Sequence, residues 1–420
     1  MLSRDARSKL LKYDGFYLFL TIMFYICIYG NQYGNVFFTV LISIIYFSFL
    51  LLGFAPIWKF SKYDYVFVYS SKIGRIMAFS SITTIVISLV NVVSNYPSLS
   101  SAFSYALDPG KAYEYVKAVR RYSIDVSNFQ LPSFVGIPLN CLTFTKYIVF
   151  IFLLLYWRQL SKSNRILGVT AAVVYIFQSF LIGAMINLGS ILMAIFPVII
   201  YYKSLKTEKR SMKYKIWMFL VFLITGITLA YFLGSRYIYI QKASFVLIVL
   251  AGFRGLLSYL SQGYVGFSFC LQLPFVCTWG QTTLYGLSKT ILASSETSWL
   301  WKESYLMRSQ NAFGWPALQS WSTIFPWLAS DFSYFLIPFI MYFIGRFMCR
   351  VWYECIANKN PFSFLMMGML EIFCFMIPAN NQLFHSFGNA VGTVAIFILY
   401  LYSRRKLQKC DSKTYEKYEI

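Results

Sequence analysis

Acid is scarce in this chain. Asp and Glu number 15 against 37 Lys and Arg, and histidine occurs once in 420 residues. A metal centre built from carboxylates and imidazoles has little to draw on, and no Cys and His fall at ligand spacing, so no metal site is expected. The phosphate loop Gly-x-x-x-x-Gly-Lys is missing as well, which excludes nucleotide hydrolysis by that route, and no motif asks for a cofactor. Charge as a whole is thin, at 12%. With 58% hydrophobic residues and a mean hydropathy of +0.60, the chain lacks the polar surface of a soluble domain.

What it has instead is apolar runs of about 18 to 25 residues, the length one helix needs to cross roughly 30 Å of hydrocarbon. Val40 to Leu52 and Phe150 to Trp157 are apolar on every face, which excludes the alternating strands of a membrane barrel. Ten spans are expected, at 16–31, 35–57, 74–95, 136–157, 166–184, 187–202, 216–234, 330–349, 361–379 and 384–402. The fold class is therefore all-α and polytopic, with a large loop between the seventh and eighth helices. The first apolar run is followed by Asn31 to Asn35 and not by a small-x-small cleavage site, so the first helix is expected to stay. Segment 166–202 must hold two short helices with a turn near Ile186 to Gly189, because one long helix would invert everything after it.

The net charge of +22 raises the question of nucleic acid, and the position of the basic residues answers it. Clusters at Arg4 to Lys12, Lys59 to Arg75, Arg158 to Arg165, Lys203 to Lys215, Arg346 to Lys359 and Arg404 to Lys417 all fall on one side of the ten-span scheme and hold 26 of the 37 cations. By the positive-inside rule that side is the cytoplasm, with both termini in it. Nucleic acid is thus not an expected partner, and membrane lipids with anionic headgroups are.

On the opposite face two segments are too long for connectors. One runs over about 95–135, within the seven-helix region 1–234. The other is 235–329, ahead of the last three helices and basic tail in 330–420. Within it, Ala243 to Leu257 is apolar but too short to span, and reads as a re-entrant or interfacial segment with Arg254 near its end. Cys270 and Cys277 share this segment; a bridge and apolar packing are the two alternatives. Inside the spans, Lys146 and Glu371 each fall near mid-helix, where a charge costs about 2.5 to 3.5 kcal/mol on insertion scales. They are expected to approach each other or to line one cavity.

The run Arg254-Gly-Leu-Leu-Ser-Tyr-Leu-Ser-Gln-Gly-Tyr-Val-Gly-Phe-Ser, then Leu273-Pro-Phe and Trp279-Gly280, resembles the large-loop signature of Wzy-type O-antigen polymerases. Gly314-Trp315, Ser320 to Thr323, Phe325-Pro326, Asp331-Phe332, Gly345, Asn360-Pro361 and Pro378-Ala379-Asn380 continue the likeness in order, so that it covers about Arg254 to Asn380. Two departures stand out. The family's Asp-Phe-Gly reads Asp331-Phe332-Ser333, and the turn after the fifth helix, Gly183 to Gly189, has no arginine. The resemblance implies a metal-independent glycosyltransferase of the inner membrane. Its substrate would be an undecaprenyl-pyrophosphate-linked oligosaccharide, polymerised at the periplasmic face, with a chain-length regulator protein as a partner. A lipid-linked oligosaccharide flippase and an O-antigen ligase are the alternatives. Evenly spaced helices with short loops would favour the flippase, and the ligase would differ only in acceptor.

Such chemistry needs cations for a departing pyrophosphate, a base for a sugar hydroxyl, and flat apolar faces for sugar rings. Arginine suits pyrophosphate because its planar fork holds two oxygens. Arg236, Arg254 and Arg308 are the leading cations, with Lys302, Arg120, Arg121 and the deeper Lys146 behind them; single interfacial arginines also serve as headgroup anchors. Asp331, at the family's aspartate position, and His385, the lone imidazole, are the candidate bases, against capping for the first and a structural role for the second. Tyr259, Tyr264, Trp315 and Asn380 are the expected sugar contacts.

Overall fold

The apolar runs become helix almost throughout. The structure is a computed structural model, and the residues described are 2–30, 35–55, 65–67, 70–96, 98–106, 109–122, 132–183, 185–205, 220, 223, 226–235, 244–291, 298–317, 322–405 and 408–409. In chain order the helices are α1 (Leu2–Tyr29), α2 (Val36–Phe54), α3 (Ser71–Val93), α4 (Leu99–Ala106), α5 (Pro109–Tyr122), α6 (Ser133–Cys141), α7 (Thr145–Tyr156), α8 (Lys162–Leu181) and α9 (Met185–Leu205). Then follow α10 (Gly226–Ser235), α11 (Phe245–Cys270), α12 (Tyr285–Ile291), α13 (Ser298–Lys302), α14 (Tyr305–Phe313), α15 (Ile324–Asn358), α16 (Pro361–Met376) and α17 (Phe387–Arg404). Two short strands, β1 (Tyr65–Val66) and β2 (Gln408–Lys409), form an antiparallel ladder.

Among the described residues, 8 helical segments are long and apolar enough to cross a membrane, as a multi-pass membrane protein requires. They coincide with the expected spans over α1, α2, α3, α6 with α7, α8, α9 and α15. The eighth is α11, and it corrects the sequence reading. The apolar stretch at Ala243 to Leu257 does not end there but continues as one 26-residue helix to Cys270. The long segment 235–329 also holds α12, α13 and α14, and 95–135 holds α4 and α5, so neither is loop in the simple sense. Segment 166–202 does form two helices, parted at Gly183, whose φ of +66° is a left-handed conformation that glycine adopts freely.

The chain divides into two compact units, and the boundaries cut across the sequence segments: one unit takes 1–73, 193–205 and 259–420, the other 74–192 and 206–258. In the first, α16 is the central helix, with its residues from Pro361 to Cys374 buried. Asn360 caps it by accepting from Phe362 N–H at 3.1 Å, while its amide donates to Ser403 Oγ at 2.8 Å. The second half of α15 lies along α2 so closely that a β-carbon on Gly345 would stand 2.1 Å from Leu50 O. At the basic end, Glu354 pairs with Arg404 at 2.9 Å and Arg350 at 3.5 Å, and Phe67 N–H donates to Asn358 O at 2.9 Å beside the β-ladder.

In the second unit α4 and α5 pack against α8 through stacked tyrosines. Tyr96 lies 5.2 Å from Tyr115, Tyr105 lies 5.0 Å from Tyr115, and the Tyr96 hydroxyl donates to Leu181 O. Lys146 opens α7 just after the break at Leu142 to Phe144, with its ammonium 5.1 Å from the Tyr147 ring and 5.4 Å from Tyr175. Glu371, in the first unit, has the Asp14 carboxyl as its neighbour. Lys146 thus meets aromatic faces, and Glu371 meets another acid.

Candidate functional site

The motif-bearing segments of the first unit interlock at three backbones. Gly263 in α11 sits where a β-carbon would meet Pro378 O at 1.9 Å and Thr323 N at 3.1 Å, so only glycine lets the strands of chain close up. Thr323 N–H donates to Gly263 O at 3.1 Å, and Ile324 N–H to Ile377 O at 2.9 Å. Here the first turn of α15 meets the turn that follows α16. Three polar atoms at this crossing, Thr323 Oγ1 and both amide atoms of Asn380, are buried and have no hydrogen-bond partner among the described residues. Buried polar groups are normally satisfied, so such orphans mark places for water or ligand.

Asp331 stands about two helical turns beyond this crossing. Its carboxylate does not cap the helix that follows it. It accepts from the Thr278 hydroxyl and from Gly280 N–H (2.8 Å) on Oδ1, and from Thr283 N–H (2.7 Å) on Oδ2, wrapping residues 278–283 around itself. Thr278 N–H donates to Ser330 O at 2.9 Å, which closes the loop onto the helix. Within the loop Trp279 and Gly280 take φ of 53° and 83°, and the Trp279 indole is 80% exposed. Two residues after Asp331, Ser333 has φ 63° and ψ 154°, a conformation almost reserved for glycine, and here α15 breaks. The departure from Asp-Phe-Gly therefore falls where the backbone itself asks for glycine.

The turn after α16 is tied to the same loop. Asn381 Nδ2 donates to Thr283 O at 2.7 Å, and Gly286 N–H donates to Phe384 O at 2.7 Å. His385 lies in this turn, half-buried, with Nδ1 3.1 Å from Gln382 O. A carbonyl only accepts, so Nδ1 carries the proton and Nε2 is left as acceptor. Burial holds the imidazole below its ordinary value near 6.5, against the opposing pull of that carbonyl.

Arg308 joins from α14. Its Nε donates to Glu303 O at 2.9 Å and Nη2 to Pro274 O at 2.8 Å, with the guanidinium 5.1 Å from the Tyr305 ring. Tyr305 N–H in turn donates to Ser330 Oγ at 3.0 Å, one residue before Asp331. A guanidinium has five donors, so capacity remains for an anion. Lys302 is exposed at the end of α13, and Trp315 is half-buried with its ring 5.9 Å from Phe269.

The remaining expected residues separate. Tyr264 is fully buried, its hydroxyl sharing a 2.8 Å hydrogen bond with Thr21 and its ring 5.3 Å from Tyr25, which makes it a core residue. Tyr259 is half-buried in the same helix. Arg254 is exposed on the stretch of α11 that belongs to the other unit. Arg120 and Arg121 close α5, but their side chains, like the whole of Arg236, lie outside the described residues. Cys270 and Cys277 are both free thiols, donating to Tyr305 O and Asp331 O at 3.5 Å, so the bridge is not formed. Thr278, Thr283 and Asn381 were missed by the sequence, where Trp279-Gly280 was the nearest signal. No family model matches the chain, and neither a curated protein nor a solved structure is matched by it.

Proposed function

We propose that this protein is a metal-independent glycosyltransferase of the O-antigen polymerase kind, acting at the periplasmic face of the inner membrane with both termini in the cytoplasm. It would move a growing glycan from its undecaprenyl-pyrophosphate carrier onto a new lipid-linked unit, under a chain-length regulator. The observation that carries the reading is the interlock at Gly263, Thr323 and Pro378. Three stretches of the Wzy-like sequence meet there around orphaned polar atoms, in a setting with the guanidinium of Arg308 on a neighbouring helix and an acceptor imidazole on the adjoining turn.

Within that reading the roles divide by what each group has left to give. His385, neutral at pH 7 with Nε2 open, takes the acceptor hydroxyl's proton. Arg308 stabilises charge on the departing pyrophosphate, a role for which Arg254 is the second candidate. Asp331 is occupied by three donors and so positions the loop instead of accepting a proton. Asn380 offers a donor and an acceptor to a sugar.

The test is to delete the gene in its native host and examine lipopolysaccharide. One repeat unit on the core is the expected result. No repeat at all would reject the polymerase in favour of a flippase or ligase.

A further inference from the structure

α1 and α16 each carry one carboxyl into the interior of the first unit, and the two face each other. Asp14 is 2% exposed and Glu371 0%, and among the described residues no donor gives a hydrogen bond to any of their four carboxyl oxygens. The side chains are nevertheless hydrogen-bond neighbours of one another. As carboxylates both can only accept, so the contact is repulsive; with a proton between them, one donates and the other accepts.

The surroundings offer no other relief. Along α16 the nearest titratable group is the Cys374 thiol, engaged with Met348 Sδ of α15 at 3.7 Å. Along α1, Tyr17 follows Asp14 by three residues and its hydroxyl donates to Phe375 O at 2.6 Å, with Tyr259 and Tyr264 of α11 around it. From α9, Lys203 gives its ammonium to the Tyr13 hydroxyl at 2.9 Å. From α2 the contact beside Asp14 is apolar, Leu51 against Gly15. Among the described residues no cation pairs with either acid. Two facing carboxylates in apolar surroundings cannot both ionise, and an unpaired charge within a span is costly.

We propose that Asp14 and Glu371 form a proton-binding site inside the membrane, holding a proton between their carboxyls at neutral pH. Release of that proton takes nothing else with it. Asp14 lies 5 residues after Lys9, where the apolar stretch of α1 begins, so about 8 Å of helix separates it from that end of the span. Glu371 lies 6 residues before Ile377, about 9 Å of helix below the turn that holds Asn380 and His385. A second negative charge would push α1 and α16 apart and move that turn. Intramembrane acids of this kind mark proton pathways in transporters, which gives the pair a meaning whatever the glycan chemistry proves to be.

The test is infrared spectroscopy of the purified full chain in lipid nanodiscs, in H2O and D2O. A protonated-carboxyl band that persists at neutral pH, shifts in D2O and is lost in the isosteric double variant Asp14→Asn/Glu371→Gln is expected. The wild-type spectrum decides the matter even where the variant misfolds. Absence of any such band at neutral pH overturns the proposal, and if added sodium then raises the melting temperature, the pair is assigned to a metal cation in its place.

Discussion

The carboxylate of Asp331 reaches back 48 residues to hold the backbone N–H of Thr283 at 2.7 Å. With the bonds to Thr278 and Gly280 it fixes a loop that would otherwise leave donors buried and unpaired.

Asp331→Ala should therefore cost stability first. Each orphaned donor is worth about 1 to 3 kcal/mol, so a loss of roughly 3 kcal/mol or more is expected in thermal unfolding in detergent. Asp331→Asn keeps one acceptor oxygen and should lose about half as much. Glycan polymerisation should fall in step with stability in both variants. An Asn variant of normal stability and no activity would make Asp331 the base after all.

Ser333→Gly should stabilise the protein. The serine occupies a backbone region that costs about 1 to 3 kcal/mol for a residue with a side chain, offset to a degree by its Oγ accepting from Phe335 N–H at 3.2 Å. A net gain of about 1 kcal/mol is expected, while Ser333→Val should lose more than that. Equal melting temperatures for all three would show that α15 relaxes at this point.

His385 imposes an acid limit. Its folded value is lowered from 6.5 by burial, so the neutral form is favoured in the fold. The stability this contributes is complete above about pH 6.5 and is lost as pH falls through the lower folded value. His385→Gln should remove that acid-side loss and also abolish polymerisation. The check is denaturation midpoint against pH for both proteins; parallel curves would reject it.

Arg254 is exposed on α11, so its replacement should leave stability within about 0.5 kcal/mol. Arg254→Ala should abolish polymer while single-repeat transfer persists, a hundred- to thousand-fold rate loss of roughly 2.7 to 4 kcal/mol. Arg254→Lys should rescue only partly, because the bidentate geometry goes with the guanidinium. Full function in the lysine variant would make the residue a headgroup anchor.

Much of the architecture was legible because hydropathy is a local signal. The runs at 35–57, 74–95 and 166–184 became α2, α3 and α8. The parting of α8 and α9 was readable from the basic cluster that follows them. Where polar residues interrupt an apolar helix the signal failed. Arg254, Ser258 and Gln262 hid the continuation of α11, and Asp14-Gly15 made the first span begin at residue 16, which left Asp14 outside it. The site was harder, since its contacts are non-local. Nothing in a string of letters places Asp331 on Thr278, or Asp14 on Glu371 across most of the chain. The carboxylate named as a candidate base thus also holds a loop, and the acid that needed a partner has another acid beside it.

A reporter fused after Lys409 should locate to the cytoplasm and one inserted near Thr283 to the periplasm. A cytoplasmic Thr283 would remove the whole candidate site from its substrate.

The small ladder of β1 and β2 carries a parity rule that bears on that outcome. Tyr65 pairs with Lys409 and Val66 with Gln408, so the α2 to α3 connection and the chain after α17 share one side of the membrane. The path between them must cross an even number of times. The apolar runs expected to cross in that interval are 74–95, 136–157, 166–184, 187–202, 216–234, 330–349, 361–379 and 384–402, which is an even set. Adding α11 would make it odd and put the two strands on opposite faces, roughly 30 Å of hydrocarbon apart, where no ladder can form. A continuous 26-residue helix cannot enter and leave by one face, so where α11 crosses, one of those runs does not, and two pairs of residues far from any site hold the number of crossings even.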